Sequence, residues 1–101
     1  MLHNSSRHLI TAGLLLAGLS GCQTNQQFLA ENQAAAIQTT LSRAKFELNC
    51  ETAEATVLSS KVAQPLVGWG VERTEYTIGV SGCGKRAVYL SWCLNTETCN
   101  A

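Results

Sequence analysis

The 101-residue sequence contains no aspartate, and both of its histidines, His3 and His8, lie within the first eight residues. From Leu9 onwards the chain therefore cannot supply a Ser/His/Asp triad, a Cys/His dyad or most catalytic zinc sites. Seven basic residues balance seven acids, so no net charge exists to attract a nucleic acid. No spacing among the remaining polar residues indicates a catalytic centre, and we expect a protein that is not an enzyme and needs no cofactor.

Long hydrophobic runs are also missing. The most apolar stretch, Leu9 to Leu19, has about 11 residues, whereas a helix needs about 20 to cross a bilayer. Before it, Met1 to His8 carries Arg7 and no acid. A basic start, a short apolar stretch and small residues at its end are the layout of a secretory signal. Residues 1–21 are therefore predicted to be a signal peptide and are set aside from the fold.

The apolar stretch ends in Leu19-Ser20-Gly21-Cys22, which resembles the lipobox of bacterial lipoproteins. This resemblance implies that the Cys22 thiol becomes a diacylglyceryl thioether, that the chain is cut before Cys22, and that its new amino group receives a further acyl chain such as palmitate. Two or three acyl chains anchor a protein stably. Gln23, in place of an aspartate, implies by the same resemblance an outer-membrane location facing the periplasm. The alternative is an ordinary signal peptide with a chance cysteine nearby.

After the cleavage site, residues 22–27 are polar and are predicted to form a lipidated tether, with Thr24 and Asn25 as candidate helix caps. Residues 28–101 are predicted to form one small domain. Its first element is a helix from Phe28 to Glu47, because apolar residues recur there at steps of three and four. The predicted buried stripe consists of Ala30, Ala34, Ile37, Leu41, Ala44 and Leu48.

The chain then changes to a β pattern. Strands are predicted from Ala53 to Lys61, from Val71 to Val80 and from Ala87 to Cys93, and the last two form a hairpin about the turn Ser81 to Lys85. Residues 95–101 are expected to form a short polar tail. A helix followed by closely linked strands predicts an α+β fold, with the helix packed on an antiparallel sheet of three or four strands and stapled by disulfides.

Five cysteines form an even set once Cys22 is assigned to lipid, and the other four allow three pairings. Cys83 lies in the hairpin turn, whereas Cys93 and Cys99 belong to its open end about 33 Å away. If the first strand runs antiparallel to the second, Cys50 comes close to the turn. The favoured pairs are therefore Cys50–Cys83 and Cys93–Cys99. A four-thiolate zinc site or a redox pair would need closer spacing than this chain has, so no metal is expected.

Three residues are candidates for binding. Lys85 and Arg86 stand beside glycines at the hairpin, where they form either a small anion-binding patch or two solvated surface charges. Trp69, between two glycines, is either a recognition aromatic or a lid over a small core.

A second resemblance extends over much of the domain. Phe46 to Cys50, Gly82 to Tyr89 and Cys93 resemble small exported bacterial proteins in which a helix ends in a cysteine and a Gly-Cys-Gly turn leads into a strand. That resemblance implies no particular activity. The hypothesis is a membrane-anchored envelope lipoprotein whose domain binds a protein partner or has a structural role. The alternative is a periplasm-facing enzyme inhibitor or small-ligand-binding module that uses Lys85, Arg86 and Trp69.

Overall fold

The computed structural model describes residues 23–65 and 70–101. Within these residues the four strands form one antiparallel sheet in the order β1-β2-β3-β4, and the helix packs on one of its faces. The predicted α+β fold is confirmed, with four strands. The elements are α1 (Asn25–Leu48), β1 (Glu54–Ala63), β2 (Arg73–Gly82), β3 (Lys85–Asn95) and β4 (Thr98–Asn100).

The helix begins at Asn25, three residues before the predicted start at Phe28. Thr24 is its N-cap: the Thr24 hydroxyl accepts a hydrogen bond from the Gln27 amide at 3.1 Å, and the Gln27 side chain accepts one from the Thr24 amide at 2.8 Å. Such a reciprocal cap satisfies amides that have no partner within the helix. Residues 25–27, expected in the tether, are therefore helical.

The predicted buried stripe of α1 is wrong at its N-terminal end, where Ala30 and Ala34 are exposed. The face that contacts the sheet instead centres on small and polar side chains, flanked by the half-buried Leu29, Ile37, Leu41 and Leu48. Small side chains let the helix approach the sheet closely. The buried Asn32 side chain is acceptable because its amide donates a hydrogen bond to the Thr74 hydroxyl on the sheet. The fully buried helix residues are Asn32, Ala36, Thr40 and Ala44.

The hairpin between β2 and β3 is confirmed. Gly82 pairs with Lys85 across a two-residue turn, Cys83-Gly84, and both turn residues have positive φ, 52° and 74°. Two positive φ angles match the twist of antiparallel strands. Gly82, just before the turn, is required because a Cβ there would lie 2.8 Å from both the Ala53 Cα and the Cys50 Sγ.

The C-terminal segment, expected as a polar tail, contains strand β4. Its residues pair with β3 so that Cys93 lies opposite Cys99 and Trp92 opposite Asn100. The Ser91 hydroxyl also donates to the Asn100 carbonyl at 3.1 Å. Short polar strands of this kind carry too little hydrophobic alternation to be recognised from sequence.

The two predicted disulfides are confirmed. Cys50 and Cys83 have Cα atoms 5.9 Å apart and join the end of α1 to the hairpin turn. Cys93 and Cys99 have Cα atoms 4.1 Å apart and join β3 to β4. All four cysteines of the described residues are thus paired, and the fifth cysteine of the sequence is Cys22.

Candidate functional site: the open face of the sheet

One face of the sheet is covered by α1. Side chains on β2 alternate, with Thr74, Tyr76, Ile78 and Val80 buried against the helix. On β3, Tyr89, Ser91 and Cys93 are buried, whereas Val88 and Leu90 point away from the helix. Val88, Leu90 and Trp92 share one face of β3, and that face is the one turned away from α1.

The opposite face, called the open face, is covered by no element of the described residues. Its register follows from the strand pairing: Thr56, Gly79 and Val88 lie in one row, and Glu54, Ser81 and Arg86 lie in the next row toward the turn. The open face comprises Glu54, Thr56, Leu58, Ser59 and Lys61 on β1, Arg73, Glu75, Thr77, Gly79 and Ser81 on β2, and Arg86, Val88, Leu90 and Trp92 on β3.

The centre of the open face is apolar. Leu58, Val88 and Leu90 are 59%, 67% and 60% exposed. Leu58 leans across β2, because its Cδ1 lies 3.4 Å from where a Cβ at Gly79 would be. Leu58, Gly79, Val88 and Leu90 are called the apolar patch. The first three of them line a shallow groove of about 400 Å³. Single exposed apolar side chains are ordinary, but a contiguous group of them is typical of an interaction surface.

Charged groups border the apolar patch at both ends. Toward the start of β2, Glu75 forms ion pairs with Lys61 at 3.7 Å and Arg73 at 3.0 Å. The Arg73 guanidinium also lies 5.9 Å from the ring centre of Trp92. Toward the hairpin turn lie Glu54 and Arg86, and neither of them has an ion-pair partner among the described residues. The two ends therefore differ, since only the charges at the start of β2 form ion pairs within the described residues.

The candidate binding residues Lys85 and Arg86 point to different sides. The Lys85 ammonium donates to the Leu48 carbonyl at 2.8 Å, where a cation complements the negative end of the helix dipole. Arg86 lies on the open face. The structure therefore does not bring these two cations together. Trp69 and the lipidation candidate Cys22 lie outside the described residues.

A polar cluster that sequence analysis did not identify lies where the end of α1 meets β3. The Tyr89 hydroxyl donates to Glu47 Oε1 at 2.7 Å, and Arg43 Nε donates to the same oxygen at 3.2 Å. The Arg43 guanidinium lies 5.5 Å from the centre of the Tyr89 ring. Tyr89 lies 42 positions after Glu47, so no local sequence motif predicts its contact with the helix.

The pKa values of this cluster are shifted by its own contacts. The hydrogen bond from Tyr89, helped by Arg43, holds the pKa of the Glu47 carboxyl below its usual value. The same hydrogen bond, together with burial, raises the pKa of the Tyr89 hydroxyl. Both shifts favour the states that hold the contact together at neutral pH, so the cluster fastens the helix to the sheet.

Among the residues that the structure describes, no group of three or more His, Cys, Asp or Glu side chains is placed to hold a metal ion. In the same part of the chain no helix has the length and hydrophobicity needed to cross a membrane. Comparisons with protein families, curated protein sequences and solved structures find no match to this chain. Function is therefore inferred from the chain's own residues.

Proposed function

We propose that this chain is an exported lipoprotein, anchored in the bacterial cell envelope by acyl chains on Cys22, with a non-enzymatic domain that binds protein or has a structural role. The observation that carries the proposal is Leu19-Ser20-Gly21-Cys22 at the end of a basic and then apolar leader. A thiol is the group that the lipid must occupy, and the small residues before it give a peptidase access to the backbone.

The disulfides support export. Two of them lie within a folded part of about 80 residues, and disulfides persist in oxidising compartments such as the periplasm. A domain of this size buries about 60–65% of the surface of its unfolded chain and gains from covalent staples. The pairing also uses four of the five cysteines, which leaves Cys22 available for a different chemistry.

The early start of α1 adds a geometric consequence. Only Gln23 and Thr24 separate Cys22 from the first helical residue, Asn25. Three residues of extended chain span about 10 Å, so acyl chains on Cys22 hold the domain directly against the membrane surface. Gln23 is the position that directs the protein to the outer membrane in this proposal.

The test is the mass of the mature N-terminal peptide, together with membrane fractionation of cells expressing the full-length chain. The proposal expects a peptide that begins at Cys22 and carries acyl chains, and a protein that sediments with outer membranes. Cys22→Ser is expected to abolish both acylation and sedimentation. Ser20→Ala, a change between small residues, is the matched control and is expected to be processed normally.

A wild-type chain without acyl groups, or a Cys22→Ser chain that still sediments with membranes, would overturn the anchor. The sorting step has its own variant. Gln23→Asp is expected to keep the acyl chains but shift the protein to the inner membrane on a density gradient, and an unchanged distribution would refute the role given to Gln23.

A further inference from the structure

The open face offers an apolar patch with an unpaired charge of each sign at one end, and this arrangement is self-complementary. We propose that the open face binds a second copy of the same chain, so that two sheets pack face to face about a two-fold axis parallel to the strands and centred on β2. In a two-fold dimer each surface contacts its own equivalent, so every contact is made twice.

The charges support this symmetry. Glu54 on β1 and Arg86 on β3 flank Ser81 in one row of the sheet. A two-fold axis over β2 places β1 against β3 of the other copy in the same row. Glu54 therefore faces Arg86 of the partner subunit, and the reverse contact is made at the same time. Neither side chain has an ion-pair partner within the described part of its own chain, so both remain available.

The apolar patch fits the same arrangement. Ser59, Thr77 and Leu90 share a row, so the β1 backbone at Leu58, beside Ser59, lies across from Leu90 of the partner subunit. Gly79 contributes no side chain at the axis, and Leu58 occupies the space above it. Face-to-face sheets pack about 10 Å apart with interdigitating side chains, and Leu58, Val88 and Leu90 are the exposed apolar side chains that would interdigitate.

The area of the face predicts a weak dimer. Strands β1 and β2 are each 10 residues long, or about 33 Å, and three strands are about 14 Å wide. Each copy therefore contributes about 460 Å² of flat area, and the pair buries about 900 Å², below the 1,200–2,000 Å² of stable specific interfaces. Confinement to one surface raises the effective concentration of such a pair without any new contact.

The direction of the two-fold axis allows both copies to be anchored in one membrane. This argument rests on the proposed function. The N-terminal part of α1 lies at the start of β2, because the Tyr76 hydroxyl donates to the Leu29 carbonyl at 2.6 Å. An axis parallel to the strands keeps this end of both copies on the same side, so the Cys22 residues of both chains reach one membrane. An axis across the strands would separate the two anchors.

The experiment measures the mass of the full mature chain in detergent micelles by sedimentation over a range of protein concentrations. A concentration-dependent dimer is expected, and Leu90→Glu is expected to leave only the monomer. The matched control is Phe46→Glu, because Phe46 is 87% exposed on α1 and lies away from the open face. This variant is expected to dimerise like the wild type.

Charge reversal identifies the symmetry. Glu54→Arg and Arg86→Glu are each expected to raise the dissociation constant about tenfold or more, since each places like charges opposite one another twice. Combining both changes is expected to restore the dimer. Glu51→Arg, also exposed but off the open face, is the control for the change in net charge.

A wild-type chain that stays monomeric at every concentration overturns the proposal, as does a dimer indifferent to Leu90→Glu. A monomer that binds a different envelope protein through Leu90 also refutes it, since the occupant is then not a second copy. Failure of the anchor gives a different result. If the chain is unacylated but dimerises through Leu90 and the charge pair, the dimer proposal stands and only the lipid-anchor proposal is refuted.

Discussion

Removing the Cys50–Cys83 disulfide is expected to destabilise the protein more than removing Cys93–Cys99, because the first closes a much longer loop. The sequence separations are 33 and 6 residues. Loop-closure entropy in the unfolded chain then gives about 3.7 kcal/mol for the first and about 2.2 kcal/mol for the second. Domains of about 80 residues have total unfolding free energies of about 4–12 kcal/mol, so loss of the longer cross-link removes a large part of the stability.

Two variants separate the cross-link from the packing of its sulfur atoms. The first is Cys93→Ala/Cys99→Ala, which retains only the long loop. The second is Cys50→Ala/Cys83→Ala, which retains only the short one. Circular dichroism is used to follow the urea unfolding of each variant, with and without a reductant. Because reduction leaves the sequence unchanged, the difference within each variant reports the remaining cross-link alone.

The expected loss on reduction is about 3.7 kcal/mol for the variant that retains the long loop and about 2.2 kcal/mol for the other. Equal losses, or a larger loss for the short loop, would refute the entropic reasoning. Such a result would mean that the stabilisation comes from native contacts, for instance those that hold β4 on the sheet.

Four further results are expected in urea unfolding. The buried Thr40 hydroxyl has no hydrogen-bond partner among the described residues, so Thr40→Val should raise the unfolding free energy by about 1 kcal/mol. Thr74→Val, which removes two buried hydrogen bonds, should lower it by about 1–3 kcal/mol. Gly82→Ala should destabilise by about 1–3 kcal/mol through overpacking, and an unchanged midpoint would contradict the close approach. The pKa of Tyr89 is raised above its usual value of 10.0. The stability that the neutral Tyr89 hydroxyl contributes is therefore present below about pH 10 and lost as pH rises through the folded-state pKa. Tyr89→Phe also removes the hydrogen bond to Glu47. The unfolding free energies of Tyr89→Phe and wild type should therefore differ less at alkaline than at neutral pH.

The sheet was predictable because its signals are local or topological. Alternation along β2 identifies the buried face directly, since strand side chains repeat every two residues. The disulfide pairing followed from strand length, which separates Cys83 in the turn from Cys93 at the far end. The glycines about Cys83 marked the hairpin for the same local reason.

The helix face was less predictable because its partner lies far away in sequence. Asn32 is buried because Thr74, 42 residues later, accepts its amide hydrogen bond at 3.1 Å. Hydrophobic periodicity favours Ala30 and Ala34 over an asparagine as buried residues. The predicted stripe therefore lay on a different side of the helix at its N-terminal end. On β3 the same bias hides the choice of face, because hydrophobicity alone would bury Leu90 rather than Ser91.

The connection between α1 and the sheet bears on how the chain avoids exchanging helices with other copies of itself. The segment after the helix, residues 49–53, is the hinge about which an exchange of helices would turn. Cys50 lies in that hinge and is bonded to the turn of its own sheet. Once oxidised, the disulfide fixes the chain two residues after the end of α1 and limits how far the helix can reach toward another copy, so crowding at a surface brings copies together with less exchange of helices.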